Sequence, residues 1–180
     1  MAPVLILETR TACEPSGSPV EAAARRPDSN IDLPSSRGMA VQVEARSIEV
    51  KSEGEDHVID ITDEVRQVVS AGRLATGVAT LFLVGSTAAI TTMEYEPGLA
   101  VDFPEMLERV APKNGIEYEH QRRWHDGNGH SHVKASLVGP SLSIPFVDGE
   151  LVLGEWQQVV LVEFDIRPRS RKVLVQLMGE

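Results

Sequence analysis

From residue 39 onward, apolar and polar positions alternate in short runs, the pattern of strands with one buried face. Val41, Val43, Ala45 and Ile48 to Val50 form the first run. A turn over 52–56 follows, and His57 to Ile61 reads as the second arm of a hairpin. Thr62 or Asp63 can cap a short helix whose apolar stripe is Val65, Val68 and Val69, with Gly72 as its stop. GVATLFLV (77–84) is continuously apolar and predicts a buried central strand, and AAITTMEY (88–95) a further strand or its extension. After Pro97, the residues Leu99, Phe103, Met106, Leu107 and Val110 recur at helical steps. Pro104 interrupts that stripe and can delay the helix start, and Ala111-Pro112 ends it. The chain then returns to β: SLSIPFV, an Asp148-Gly149 turn, ELVLG, QQVVLVEF, a turn near Arg167-Pro168, and RKVLVQLM. Short sequential strands predict antiparallel pairing. The expected class is α+β, a mostly antiparallel sheet with two or three short helices.

Residues 1–38 differ from the rest. They are rich in Pro, Ser, Gly and Ala without a sustained period, so they read as a disordered extension before a domain over 39–180. Met39 opens the patterned region and is a candidate start. The formal charge of -10 disfavours non-specific nucleic-acid binding, which needs a basic surface. Cys13 is the single cysteine, which excludes an internal disulfide framework and a cysteine-based zinc site. No apolar run is long enough to span a bilayer, and the opening residues lack the form of a signal peptide. A cytoplasmic protein without membrane or nucleic-acid partners is expected.

The candidate chemistry is concentrated in 120–139, which holds His120, His125, His130 and His132, four of the five histidines. Imidazoles change charge near neutral pH and ligate metals readily. Arg122, Arg123 and Lys134 lie in the same stretch and can hold a small anion. Ser131 to Val138 is expected to be a short helix, capped by Asn128 or Ser131 and ended by Gly139-Pro140. As a helix it places His132 in the first turn, near Lys134, where free amides favour an anion. As a strand it would put His130 and His132 on one face. His120 and His132 can supply two metal ligands, completed by His130, Glu94 or Asp126. The competing reading is a satisfied polar network between helix and sheet. Ser86 and Thr87 can meet a phosphate, although a strand-end turn also explains them. Arg167, Arg169, Arg171 and Lys172 read as a solvated face, and His57 and His125 as surface residues. Trp156 is by default a core residue.

Five stretches, STAAITT with Glu94 following, YEH (118–120), GNGHSHVKASLVGPSLSIP, DGELVLGEWQ and EFD with RSRKVLVQ, occur in this order. Over 39–180 the chain therefore resembles the YjbQ-like family, which is associated with thiamine-phosphate synthase activity. The resemblance implies a compact α+β fold, usually a homotrimer, with a pocket where histidines converge. It matches His120, His132, Trp156, Gln157 and Glu163 to family positions. The implied catalytic residues are His120, His132 and Glu163, and the candidate metal ligands are His120 and His132 with His130 as the third, for which His125 is the other local candidate. Ser86, Thr87, Asn128, Lys134, Trp156 and Gln157 are the substrate- or anion-binding set. Two departures stand out. Gly85 occupies a position where many members carry histidine, and Met93-Glu94-Tyr95 replaces an Asn-Glu-Asn segment. The implied activity joins hydroxymethylpyrimidine diphosphate to a thiazole phosphate and releases diphosphate, with a divalent metal (zinc or magnesium). The alternatives are a non-catalytic trimer that binds a metal or a small phosphorylated metabolite, and a purely structural trimer.

Overall fold

The structure, a computed structural model, describes residues 41–180. The extension expected over 1–38 lies outside the described residues. The elements are β1 (Gln42–Ser52), β2 (His57–Asp60), α1 (Thr62–Ser70), β3 (Gly77–Val84), β4 (Ala88–Met93), α2 (Leu99–Val110), α3 (Glu119–Trp124), α4 (Gly129–Val138), β5 (Ser141–Val147), β6 (Glu150–Leu151), β7 (Gln158–Glu163) and β8 (Arg169–Gly179). All pairings are antiparallel, in a five-stranded sheet ordered β1-β8-β3-β5-β6 and a three-stranded sheet ordered β2-β7-β4. The α+β class is as expected, with four helices rather than two or three.

Two apolar layers hold these elements together. The first lies between the sheets, where Val50, Leu81, Leu83, Ile90, Phe146, Leu161, Val173 and Val175 pack with Val65 and Val69 of α1. The second covers the other face of the small sheet. There Val58, Ala89, Val160, Val162 and Phe164 meet Leu107 of α2 and Ala135 of α4. β7 is thus sandwiched on both faces, which accounts for its unbroken run of buried residues. No such cover lies over the outer face of the large sheet among the described residues. β3 is therefore only half-buried, with Ala79, Leu81 and Leu83 inside and Phe82 and Val84 exposed, although its sequence predicts full burial.

Several local expectations hold. Asp148 and Gly149 both take positive φ, 52° and 75°, and join β5 to β6 in a two-residue hairpin. Helix α1 buries Val65, Val68 and Val69. Helix α2 begins at Leu99 despite Pro104, because the Glu96 carboxylate accepts the Gly98 N–H (2.7 Å) and the Leu99 N–H. The expected β1–β2 hairpin does not form. β1 pairs with β8, and β2 pairs with β7 in the other sheet. No helix among the described residues is long and apolar enough to cross a membrane.

Candidate functional site

Helix α3 was not expected. The segment EHQRRW has no apolar stripe, and none of its residues is buried. It forms because the Gln121 side chain accepts the Tyr118 N–H (3.4 Å) at its start and His125 closes its end in the left-handed region. Its consequence is to hold His120 over α4. Helix α4 runs from Gly129, two residues earlier than expected, and the strand alternative is excluded. The N–H groups of Ser131 and His132 both donate to the Asn128 carbonyl, so His132 offers no free amide to an anion.

Helical phase then decides which side chains meet. Residues two apart on a helix point about 200° apart, whereas i and i+4 share a face. His132 faces His120, with ring centroids 4.4 Å apart. His120 Nε2 lies 3.3 Å from Asp126 Oδ2, and with its amide turned to put nitrogen toward Asp126, Asn128 donates to Oδ1 at 3.0 Å. His130 lies on the other face, wholly buried, with Nε2 2.6 Å from Glu55 Oε1. Lys134, on that same face, is also wholly buried and donates from Nζ to Glu108 Oε2 (2.7 Å), with Asp56 Oδ1 at 3.6 Å. The histidine trio expected to hold a metal is therefore split, and Lys134 points away from His132. Among the described residues, no three His, Cys, Asp or Glu side chains are grouped to hold a metal ion.

Burial pushes the His132 imidazole below its ordinary pKa, and the neighbouring His120 adds to this. Asp126, the Ser86 backbone and Asp165 oppose the shift without reversing it, so the surroundings favour the uncharged ring. Burial raises Asp126, but the His120 hydrogen bond and charge more than offset it and leave that carboxyl below its usual range. Beside His132 opens a cavity of about 220 Å³ lined by Gly85, Ser86, Ala88, His132, Ala135, Ser136 and Pro140.

The floor of this region is a buried polar network. Glu163 is wholly buried and accepts from Arg171 Nε (2.7 Å) and Nη2 (2.5 Å), Ser52 Oγ (2.8 Å) and the Asp165 N–H (2.8 Å). Arg171 Nη2 also donates to Thr87 Oγ1 (2.8 Å), which donates to Asp165 Oδ2 (3.1 Å). Arg169 Nη2 closes the chain on Asp165 at 2.7 Å. Arg171 thus belongs to the interior, not to the solvated face the sequence suggests. Glu163 has its four acceptor sites filled from within the protein, and Thr87 spends its one hydroxyl proton on Asp165. Trp156 is exposed rather than core. Gln157 donates to Thr92 Oγ1 (3.0 Å), near the far end of β4 from Ala88. At about 3.3 Å per residue, four residues separate that pair from the pocket by about 13 Å. Arg122 is held by Glu117 and Glu119, and His125 is exposed as expected. The chain brings together His120, His132, Asp126, Asn128 and Ser86, and leaves Trp156, Gln157, His130 and Lys134 outside.

Residues 46–180 match the sequence profile of the family described as UPF0047 protein YjbQ-like. A UPF0047 protein of Archaeoglobus fulgidus is 37% identical over 121 residues, covering 67% of this chain and 90% of that protein. The UPF0047 protein YjbQ of Escherichia coli O157:H7 is 34% identical over 122 residues, 67% of this chain and 87% of its own length. The crystal structure of a YbjQ-like protein of unknown function from Sulfolobus solfataricus superposes with a TM-score of 0.72 at 31% identity. It covers 78% of this chain and all of its own.

Proposed function

The chain belongs to the UPF0047 YjbQ-like family, and from that premise we propose that it binds a small phosphorylated metabolite in the pocket between His132 and the Gly85-Ser86 turn. One observation carries this reading. The His132 imidazole, its charged form disfavoured by burial, and Ser86 border a solvent-open cavity, and among the described residues no third side chain joins the histidines as a metal set. A neutral imidazole offers one N–H to an oxyanion while remaining an acceptor at its other nitrogen.

The catalytic form of this reading is the thiamine-phosphate synthase reaction that the resemblance implies. The C–O bond to diphosphate breaks, diphosphate leaves with the electron pair, and the thiazole nitrogen bonds to the freed carbon. The His120–Asp126 pair beside His132 favours it, since a carboxylate that orients an imidazole is a common acid–base device. Against it, Lys134 and Arg122 are bound to carboxylates, so neither of these two cations is free to meet the charge on leaving diphosphate. We therefore favour binding without turnover. Purified protein should bind thiazole phosphate by calorimetry, lose that binding in His132→Ala, and give no thiamine phosphate above a blank. Turnover abolished in His132→Ala would establish the enzyme instead, and absence of binding would reject the pocket.

We also propose a homotrimer that buries the outer face of the large sheet. Register places Val43, Met178, Val78 and Pro145 in one row across that face, and Leu174 and Phe82 in another. Val43, Phe82 and Met178 are about half exposed in the single chain. Light scattering should give three chain masses for the wild type and one for Phe82→Glu. A single chain mass for the wild type would reject the trimer.

A further inference from the structure

The structure assigns Arg171 Nη1, reached through the gap left by the missing side chain of Gly85, as the anion-anchoring donor of the pocket, with a phosphate oxygen as its acceptor. This rests on the phosphometabolite reading above and supplies it with a recognition residue. A guanidinium carries five N–H donors, and a buried one ordinarily has them bonded. In Arg171, about nine-tenths buried, Nε and Nη2 are taken up by Glu163 and Thr87. Nη1 has no acceptor among the described residues, although it carries two of the five donors.

The direction in which Nη1 points makes this more than an unfilled bond. A Cβ added at Gly85 would lie 3.0 Å from Nη1, and apart from the flanking Val84 and Ser86 only Arg171 atoms come within 4 Å of that point. Gly85 is itself exposed and lines the cavity beside His132 and Ser86. The absence of a side chain at this one residue therefore joins a buried cation to solvent. Beside Gly85 the opening meets Nη1 of Arg171 and the Ser86 side chain, while the His132 ring on the same cavity is turned to the Ser86 backbone. A guanidinium nitrogen and a hydroxyl beside a small cavity suit an oxyanion, and guanidinium favours phosphate over uncharged acceptors. Glu163 orients the group from behind by holding Nε and Nη2, so Nη1 is presented without freedom to turn away.

Calorimetric titration of the full chain with inorganic phosphate tests this. Gly85→Ala places a methyl group in the path to Nη1. The backbone at Gly85 lies outside the left-handed region, so alanine carries no φ penalty, and its Cβ, 3.0 Å from Nη1, should lower the melting temperature by only a few degrees, leaving a folded protein to titrate. Affinity should fall about tenfold or more, as expected for losing one charge-assisted hydrogen bond. Arg171→Lys, which keeps a cation beside Glu163 but withdraws Nη1, should fall equally. Phosphate binding lost in His132→Ala yet unchanged in Gly85→Ala and Arg171→Lys overturns the assignment and leaves the pocket reading standing. No phosphate binding by the wild type, with thiazole phosphate still bound, overturns it as well. Failure of both ligands to bind removes the pocket reading itself.

Discussion

Glu163→Ala is expected to cost about 3–5 kcal/mol of stability and to lower the melting temperature by roughly 10 °C or more. Four hydrogen bonds converge on this wholly buried carboxylate, two of them from Arg171. Removing it leaves a guanidinium buried without its counter-charge, and that uncompensated charge is the largest part of the cost. Glu163→Gln keeps the shape and one acceptor, so its cost should be smaller. A paired replacement, Glu163→Met with Arg171→Met, removes both charges and should recover much of the loss, since apolar pairs of similar volume commonly match buried ion pairs. Chemical denaturation of the four proteins reads this directly. If Glu163→Gln keeps full stability but loses ligand or turnover, Glu163 acts on the ligand, as the family resemblance implies. If stability falls in the order given, it serves the fold. The double variant carries a second reading, because it should fold yet lose phosphate along with Nη1.

The partition between what the sequence conveys and what it withholds follows from the range of each interaction. Helix α1, the β5–β6 hairpin and the extent of α4 rest on neighbours a few residues apart, and all three are legible. The pairing of β1 with β8 joins the two ends of the described chain, and alternation along a strand says nothing about its partner. Helix α3 has no apolar face to betray it, so its five polar residues and lone Trp124 resemble a loop.

The site divides in the same way. His120 and His132 are found from histidine density and family resemblance together. The separation of His130 and Lys134 from His132 follows once a helix is accepted, because spacings of two and four fix the faces. Arg171 had a usable signal too. It sits in phase with Val173, Val175 and Leu177, all buried, so period two places it inside. Its nearness to a turn and to other basic residues obscured that phase. The opening at Gly85 has no sequence signal of its own, since a glycine reveals what it exposes only when its neighbours are positioned.

Lys134→Ala should be the second severe substitution, at about 2–5 kcal/mol, because it deletes a fully buried aliphatic stem as well as the ammonium. Lys134→Met separates the two contributions. It retains most of the stem and removes only the charge, and its partners Glu108 and Asp56 are partly open to water. The cost should then be about 1.5–3 kcal/mol, the scale of one charged hydrogen bond. The methionine variant's deficit should also depend on pH. Burial raises Glu108, but bonding to Lys134 offsets this and holds its carboxyl below the ordinary range. That contribution is present above the unfolded carboxylate pKa and is lost as pH falls through the folded one. Burial raises Asp56, with Lys134 opposing it, so loss of the lysine raises it further. A raised carboxyl favours the fold at low pH and forfeits that as pH rises. Both effects enlarge the deficit from acid to neutral pH, and denaturation of wild type and Lys134→Met at pH 3.5 and pH 7, about either side of carboxylate titration, measures it. A deficit equal at the two values would mean that Lys134 does not depend on these carboxylates. Because Lys134 faces away from His132, phosphate affinity should be unchanged in Lys134→Met, in contrast to Gly85→Ala. A loss of affinity there would return Lys134 to the anion-binding set that the sequence suggests.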